Sequence, residues 1–260
     1  MPPMRDIAAQ AVADLQSGFG LLTRLPIPQH REGGTGVTPH RAQAAWCWPL
    51  VGVVIGALMA LVGWAGHGLG LPGGVTAAAL LATAAIATGA LHEDGLADTF
   101  DGLFGGWTPE RRLEIMKDSH IGSFGTLALL LVVLAKWSAL TALLDQGALG
   151  AIIAVAALSR APMAVVMTAL PNARGAGLAQ TVGRPGAPAA LIACGIGLGV
   201  AGSAAPVTAA LMMALVMALV AVAVAALARS RLGGQTGDIL GATQVLCETA
   251  GLAVLASQMV

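Results

Sequence analysis

Seven stretches of this 260-residue chain stay apolar for about 20 residues each, long enough to cross the hydrocarbon core of a bilayer. They run near 45–66, 74–91, 125–144, 148–170, 186–204, 206–228 and 239–259. Inside lipid a backbone must satisfy its own N–H and C=O groups, so runs of this kind predict helices. The whole chain then reads as all-α, a polytopic integral membrane bundle with about seven transmembrane helices. The scarcity of charge agrees: Asp, Glu, Lys and Arg make up 10% of the chain, against roughly 25% in soluble domains. Several runs are rich in Ala and Gly, which lets helices approach closely.

Positive charge supplies an orientation, because Lys and Arg accumulate in cytoplasmic loops. Arg5, Arg24, Arg31 and Arg41 precede the first run; Arg111, Arg112 and Lys117 lie between the second and third. Arg174 and Arg184 follow the fourth, Arg229 and Arg231 the sixth. The alternate loops near 67–73, 145–147 and 205 have none, and the two remaining basic residues, Lys136 and Arg160, fall inside runs. The N-terminus is expected on the cytoplasmic side and the C-terminus outside, in a multi-pass membrane protein.

Thirteen acids balance thirteen bases, and the aromatics are five Trp and four Phe with no Tyr. Such a chain lacks the basic, stacking surface that nucleic acid requires. Cys47, Cys194 and Cys247 sit in apolar stretches without metal-binding spacing and read as small buried hydrophobes. The first residues, MPPMRDIAAQAVADLQ, lack the compact apolar core and cleavage site of a removable signal. Within 7–23, Ile7, Val12, Leu15, Phe19 and Leu22 recur at helical spacing, fitting a helix along the bilayer interface or one packed on the bundle. Residues 25–40, rich in Pro, Gly and Thr, read as a loop. We treat 1–260 as one membrane-embedded domain, with 1–44 a cytoplasmic or interfacial segment, 92–124 an acidic connecting loop and 229–248 a second patch. Oligomerisation is left open.

The acidic connection opens LHEDGLADTFDGLFGG, with Glu93, Asp94, Asp98 and Asp101 inside nine residues. On a helix, Asp94, Asp98 and Asp101 follow i, i+4, i+7 and share one face, where unneutralised carboxylates repel. A divalent cation removes that conflict, and hard oxygen donors select magnesium, calcium or manganese over zinc. Magnesium usually takes one or two protein carboxylates and completes its shell with water and phosphate. A solvated acidic loop is the plainer alternative, but acids are rare elsewhere in the chain. His92 could ligate, donate a hydrogen bond or act as a base, although a lone His beside an apolar run is more often structural.

Two further patches fit around this cluster. RRLEIMKDSHIGSFG brings Arg111, Arg112, Lys117, Asp118 and Ser119 ahead of the third run; we favour a phosphate role for Lys117 and a merely topological one for the two arginines. GGQTGDILGATQVLCE carries Gly233, Gly234, Thr236, Gly237 and Asp238 at the mouth of the last run, then Glu248 about 15 Å deeper on a helix. Asp238 could simply cap that helix. A carboxylate at the depth of Glu248 is costly unless paired, protonated or used. Arg160 is its natural partner, and Lys136 is another.

Together these patches resemble the cobalamin synthase family, which performs the late joining step of vitamin B12 assembly. The likeness rests on TRLPIP at 23–28, WPLVGVVIG at 48–56, LHEDGLADTFDGLFGG at 91–106, RRLEIMKDSHIGSFG at 111–125, LSR at 158–160, PNARGAGL at 171–178 and GGQTGDILGA at 233–242. Four positions depart from it: Glu93 stands where an apolar residue is expected, Phe100 where a small one is, Asn172 in place of Tyr and His120 in place of Arg. At a phosphate-touching position, His120 would make the charge pH-dependent.

The resemblance implies magnesium-dependent attack by a ribose hydroxyl of α-ribazole, or its 5′-phosphate, on adenosylcobinamide-GDP. GMP would leave, and adenosylcobalamin or its 5′-phosphate would form. It assigns Asp94, Asp98 and Asp101 to magnesium, with Glu93 and Glu248 as further candidate ligands. Asp101 would accept the attacking proton, with Asp98 and His92 as other catalytic candidates. Lys117, Arg160 and Arg174 would meet phosphates, and Gly233, Gly234, Thr236 and Asp238 would close the nucleotide side. Two other readings differ in kind. Asp98-Thr99-Phe100-Asp101-Gly102 also fits the DxxDG opening of CDP-alcohol phosphotransferases, although the rest of that motif does not follow. A divalent-cation transporter would use the same acids as an ion path. GMP release on adding corrinoid and ribazole substrates is the discriminator: a transporter gives none, and a lipid enzyme needs a lipid alcohol.

Overall fold

The computed structural model describes residues 4–27, 42–175 and 177–258. Most of the loop expected at 25–40, with Arg31 and Arg41, lies outside the described residues. In chain order the helices are α1 (Met4–Leu22), α2 (Trp48–Gly68, preceded by a 3₁₀ turn over Ala42–Cys47), α3 (Gly73–Thr88), α4 (Leu91–Gly105), α5 (Pro109–Ile115), α6 (Ser123–Asp145), α7 (Leu149–Leu158), α8 (Ala161–Ala169), α9 (Leu178–Val182), α10 (Ala187–Ala204), α11 (Val207–Leu232) and α12 (Gly237–Ser257). Among the described residues there is no strand, only an isolated bridge between Asn172 and Gln235.

Six segments are long and apolar enough to span a bilayer: Ala42–Gly68, Ser123–Asp145, Leu149–Ala169, Ala187–Ala204, Val207–Leu232 and Gly237–Ser257. The protein is an all-α, multi-pass membrane bundle. The expected second span takes a different form. α3 ends at a bend of 90°, and α3 with α4 makes one broken span or a re-entrant pair. Gly89 and Ala90 produce the bend, both left-handed at φ 65° and 54°. Ala90 is the one non-Gly residue with positive φ among those described, a conformation that costs about 1–2 kcal/mol for an L-residue. The connection read as a loop over 92–124 is thus largely helical, as α4 and α5.

The fourth span, Leu149–Ala169, is interrupted without a sharp bend. α7 and α8 are separated by Ser159 and Arg160, and Pro162 sits in the first turn of α8, where its missing N–H costs nothing. This segment and α12 form the centre of the bundle, 72% and 67% buried, against 28% for α6, α10 and α11. Close approach explains the small residues: a Cβ on Gly52 of α2 would collide with the carbonyl of Ala156 in α7.

The N-terminal helix packs on the bundle along part of its length. Its second half packs on the bundle, with Leu22 buried and Trp46 Nε1 donating to Asp14 Oδ2 at 2.9 Å, while Ile7 and Val12 stay exposed. The bundle ends differ in charge. Gly63 meets Leu144 and Leu149, Gly73 meets Asp145, and Gly150 meets Ala204, so the loops without Lys or Arg share one end. At the other end Arg112 Nη1 donates to the Arg231 carbonyl, and Arg24 N to the Ala87 carbonyl.

Candidate active site

At that second end a cleft opens between α1, α4, α8 and the start of α12. Leu21, Leu22, Trp48, Met163 and Met167 form its apolar wall; His92, Asp94, Asn172, Arg174, Thr236 and Asp238 supply its polar groups. Two segments that are distant in sequence build the polar side. Ala173 N donates to the Gln235 carbonyl and Gln235 N to the Pro171 carbonyl, both at 2.8 Å, so 171–175 and 233–238 lie side by side. Gly234 permits the contact, because a Cβ there would run into the Pro171 carbonyl oxygen. Gly233 terminates α11 at φ 77°. Asn172 Oδ1 accepts the N–H groups of Arg174 and Gly175, which turns the chain so that Arg174 points back at α12.

There Arg174 Nη2 lies 2.8 Å from Asp238 Oδ2, an ion contact without hydrogen-bond alignment, and its Nε is buried with no partner. Asp238 is not the cap of α12. Thr236 is, accepting from Ile239 N at 3.3 Å, which gives Thr236 a structural task. Asp94 is exposed on the cleft wall. Asp98, half-buried one turn on, lies within the electrostatic reach of Asp94, Asp101, Asp238 and Arg174. The helical face expected for Asp94, Asp98 and Asp101 thus exists, but its members pass from exposed to buried along it.

Asp101 has partners the sequence did not disclose. Its carboxylate accepts Gly122 N at 2.7 Å and Gly125 N at 2.9 Å, fastening the end of α4 to the N-terminus of α6. Glu93 and Glu248 point elsewhere, to Lys136: Glu248 Oε2 pairs with Lys136 Nζ inside the bundle, and Glu93 Oε1 lies 4.0 Å from the same nitrogen. The direct partner of Glu248 is therefore Lys136 and not Arg160, which is buried at the α7–α8 break and donates to the Ala156 carbonyl. Sequence spacing cannot choose between two buried cations on different helices. His92 is buried, lines the cleft, and its Nε2 has no partner.

Lys117 is exposed beyond α5 and does not line the cleft. Arg112 holds the end of α11 and Arg111 pairs with Glu114 at 3.0 Å, so neither arginine touches the cleft. Asp118 Oδ1 and His120 Nδ1 lie 2.7 Å apart on the exposed turn before α6. That hydrogen bond holds the Asp118 carboxyl below its usual range and the His120 imidazole above its own. Sequence reasoning assigned no role to the lining residues Asn172, Trp48, Met163 and Met167, although Asn172 and Trp48 fall inside the quoted motifs.

Among the described residues, no three His, Cys, Asp or Glu side chains converge into a ready-made metal cage. Asp94 and Asp98 with Asp238 nearby offer hard oxygens in an open site, which suits an ion that takes one or two carboxylates and fills its shell from water and ligand.

Fold and cleft together define a polytopic helical membrane protein with an acidic, arginine-bearing pocket at one end. Residues 14–256 match the family described as cobalamin-5-phosphate synthase, and the chain belongs to that family of enzymes. Among its relatives, the adenosylcobinamide-GDP ribazoletransferase of Brucella anthropi is 40% identical over 94% of this chain and 96% of its own length. That of Bradyrhizobium diazoefficiens is 39% identical over 99% and 98%. That of Azorhizobium caulinodans is 40% identical over 94% and 95%. No solved structure matches this chain.

Proposed function

We propose that this chain joins adenosylcobinamide-GDP to α-ribazole or its 5′-phosphate, releasing GMP, with magnesium as cofactor. The observation that carries the proposal is the meeting of Asp94, Arg174 and Asp238 in one cleft, built from segments more than 60 residues apart. The relatives' names supply the substrate class. Carboxylates together with a guanidinium whose Nε is an orphaned buried donor suit a diphosphate held through a divalent cation.

In this reading Asp94 and Asp98 hold magnesium. The ion, when bound, neutralises charge developing on the transferring phosphoryl oxygens. Arg174, steadied by Asp238, directs its free N–H groups at the diphosphate. We assign the proton of the attacking hydroxyl to Asp98, since both oxygens of Asp101 already accept backbone N–H groups. The apolar wall of Trp48, Met163 and Met167 takes a flat base and excludes water. The open cleft receives the diphosphate end of the substrate, with the corrin ring outside it. The charged end of the bundle faces the cytoplasm of a bacterial inner membrane, where the N-terminus would also lie.

The test is GMP release by purified protein in lipid nanodiscs supplied with both substrates and magnesium. Release that requires ribazole and stops with EDTA is expected. No release, with turnover of a lipid alcohol or ion flux instead, would overturn the reading.

A further inference from the structure

A membrane protein with 26 charged residues in all has placed Lys136, Arg160 and Glu248 within its spanning segments at 5% exposure or less. They converge where α4 lies between α6 and α12. Lys136 is 13 residues into α6, Glu248 sits in mid-α12, and the two are directly paired. Gln244, one turn before Glu248 on the same face of α12, donates from Nε2 to Ser159 Oγ at 3.2 Å, at the α7–α8 break. α12 thus grips both the interrupted span and α6 through two adjacent polar side chains.

α4 joins this arrangement through Glu93. Successive residues of a helix project about 100° apart, so the rotation that turns Glu93 toward Lys136 decides where its neighbour Asp94 points. Asp98 lies one turn further along Asp94's stripe. At the other end of α4, Asp101 is held by Gly122 N and Gly125 N, again from α6. Both ends of α4 are therefore referenced to α6 by charge, while its middle packs through small residues, Gly95 against Asp238 and Gly241. Close packing of that kind fixes distance and leaves rotation to the polar contacts.

We propose that Lys136 and Glu248 are positioning residues: their buried pair, acting through Glu93, sets the rotation of α4 that turns Asp94 into the cleft, with Asp98 one turn further along the same face. The consequence for metal binding rests on the function proposed above; the rotation itself does not. Glu93 and Glu248 are on this account not ligands, and Lys136→Met distinguishes the cases by sign. A freed carboxylate that served as a ligand would bind a divalent ion more tightly once the competing ammonium is gone. A carboxylate that positions α4 would lose its anchor, and binding would weaken by about 10- to 100-fold, the usual cost of removing a group that orients metal ligands.

The experiment uses full-length protein in nanodiscs, with Lys136→Met, Lys136→Arg and Glu248→Gln. Manganese binding is followed by electron paramagnetic resonance without substrates. Separately, in a background lacking the three native cysteines, Asp94→Cys and Ala97→Cys are compared for their rates of reaction with a water-soluble maleimide. Position 94 is exposed in the cleft and Ala97 is 4% exposed, so a thiol at 94 reacts fast and one at 97 slowly in the parent. Lys136→Met and Glu248→Gln are expected to shrink that contrast and weaken manganese binding, with Lys136→Arg keeping most of both. An unchanged contrast in folded Lys136→Met protein overturns the proposal, as does tighter manganese binding. A changed contrast in a parent that binds no manganese leaves the positioning role standing and overturns the magnesium site alone.

Discussion

Glu93 and Asp94 are neighbours in the chain yet belong to opposite environments. Around Glu93 the charges are sealed and balanced: Lys136 and Arg160 face Glu93 and Glu248, and three of the four are nearly inaccessible. Around Asp94 they are open and unbalanced, since Asp94, Asp98 and Asp238 share one guanidinium, that of Arg174. A balanced buried group has met its electrostatic needs within the protein and can serve as scaffold. An unbalanced group at the edge of solvent has not, and in the function proposed above a bound cation supplies the missing charge. Both regions are built from carboxylates and cations, so the comparison teaches that completeness of pairing, more than the presence of charge, separates scaffold from candidate site.

The sealed side gives the largest expected effect. Glu248→Leu leaves Lys136 buried without its partner, which should cost about 3–5 kcal/mol of stability. Lys136→Leu with Glu248→Leu should cost less than that, because no uncompensated charge at this pair remains. Unfolding of the double variant and of each single variant in mixed micelles decides it, and losses that simply add would break the pairing side of the comparison.

On the open side the prediction inverts. Asp94→Asn removes one of several like charges that face each other, so folding stability should hold or rise slightly. GMP release should nevertheless fall about 10²- to 10³-fold, the scale for deleting one group that stabilises developing charge. A variant that melts early and loses activity in proportion would show Asp94 to be scaffold as well.

How far the sequence discloses this contrast depends on the kind of information each part needs. The spans were legible because about 20 apolar residues have few other fates, and the shared face of Asp94, Asp98 and Asp101 because helical spacing is local. The breaks were not. Hydropathy over 148–170 is continuous, and a window average cannot register that Ser159 and Arg160 interrupt the helix, although Pro162 was a sign of it. The right angle at Ala90 is set by backbone conformation that no apolar count reflects. Pairings across the bundle, Lys136 with Glu248 or Pro171–Ala173 with Gln235, are tertiary, and charge complementarity alone allowed Arg160 for Glu248 equally well. The family resemblance picked out patches of which the fold brings several to one end of the bundle, while the partner of each acid required the packing.

Arg174 sharpens the open side further. It is the counter-charge nearest the carboxylates, and its unpartnered Nε gives it spare hydrogen-bonding capacity. Arg174→Ala should raise KM for the corrinoid diphosphate roughly 10- to 100-fold, the equivalent of losing a charged hydrogen bond of about 1.5–3 kcal/mol. Arg174→Lys should recover only part, lacking the planar fork. Steady-state kinetics separates this from a kcat effect, and an unchanged KM would remove Arg174 from the diphosphate.

Asp118 and His120 extend the comparison to a pair that is neither sealed nor unbalanced, and they give its smallest effect. Their side chains are 57% and 88% exposed, so solvent screens the interaction and little stability is expected from it. The titration still carries a sign. His120, raised by its hydrogen bond to Asp118, contributes fully below its unfolded pKa near 6.5 and loses that contribution as pH rises through the higher folded value. Asp118, lowered by the same bond, contributes above its unfolded value near 3.8 and loses it as pH falls through the lower folded one. The pair therefore persists between those limits, across mildly acidic pH. Histidine-selective NMR in nanodiscs should show the His120 midpoint dropping back toward 6.5 in Asp118→Asn. GMP release near neutral pH should change by no more than a few-fold, as for an exposed pair outside the cleft. A larger loss, with a shifted pH profile, would bring the turn before α6 into contact with substrate and make His120 part of the open site.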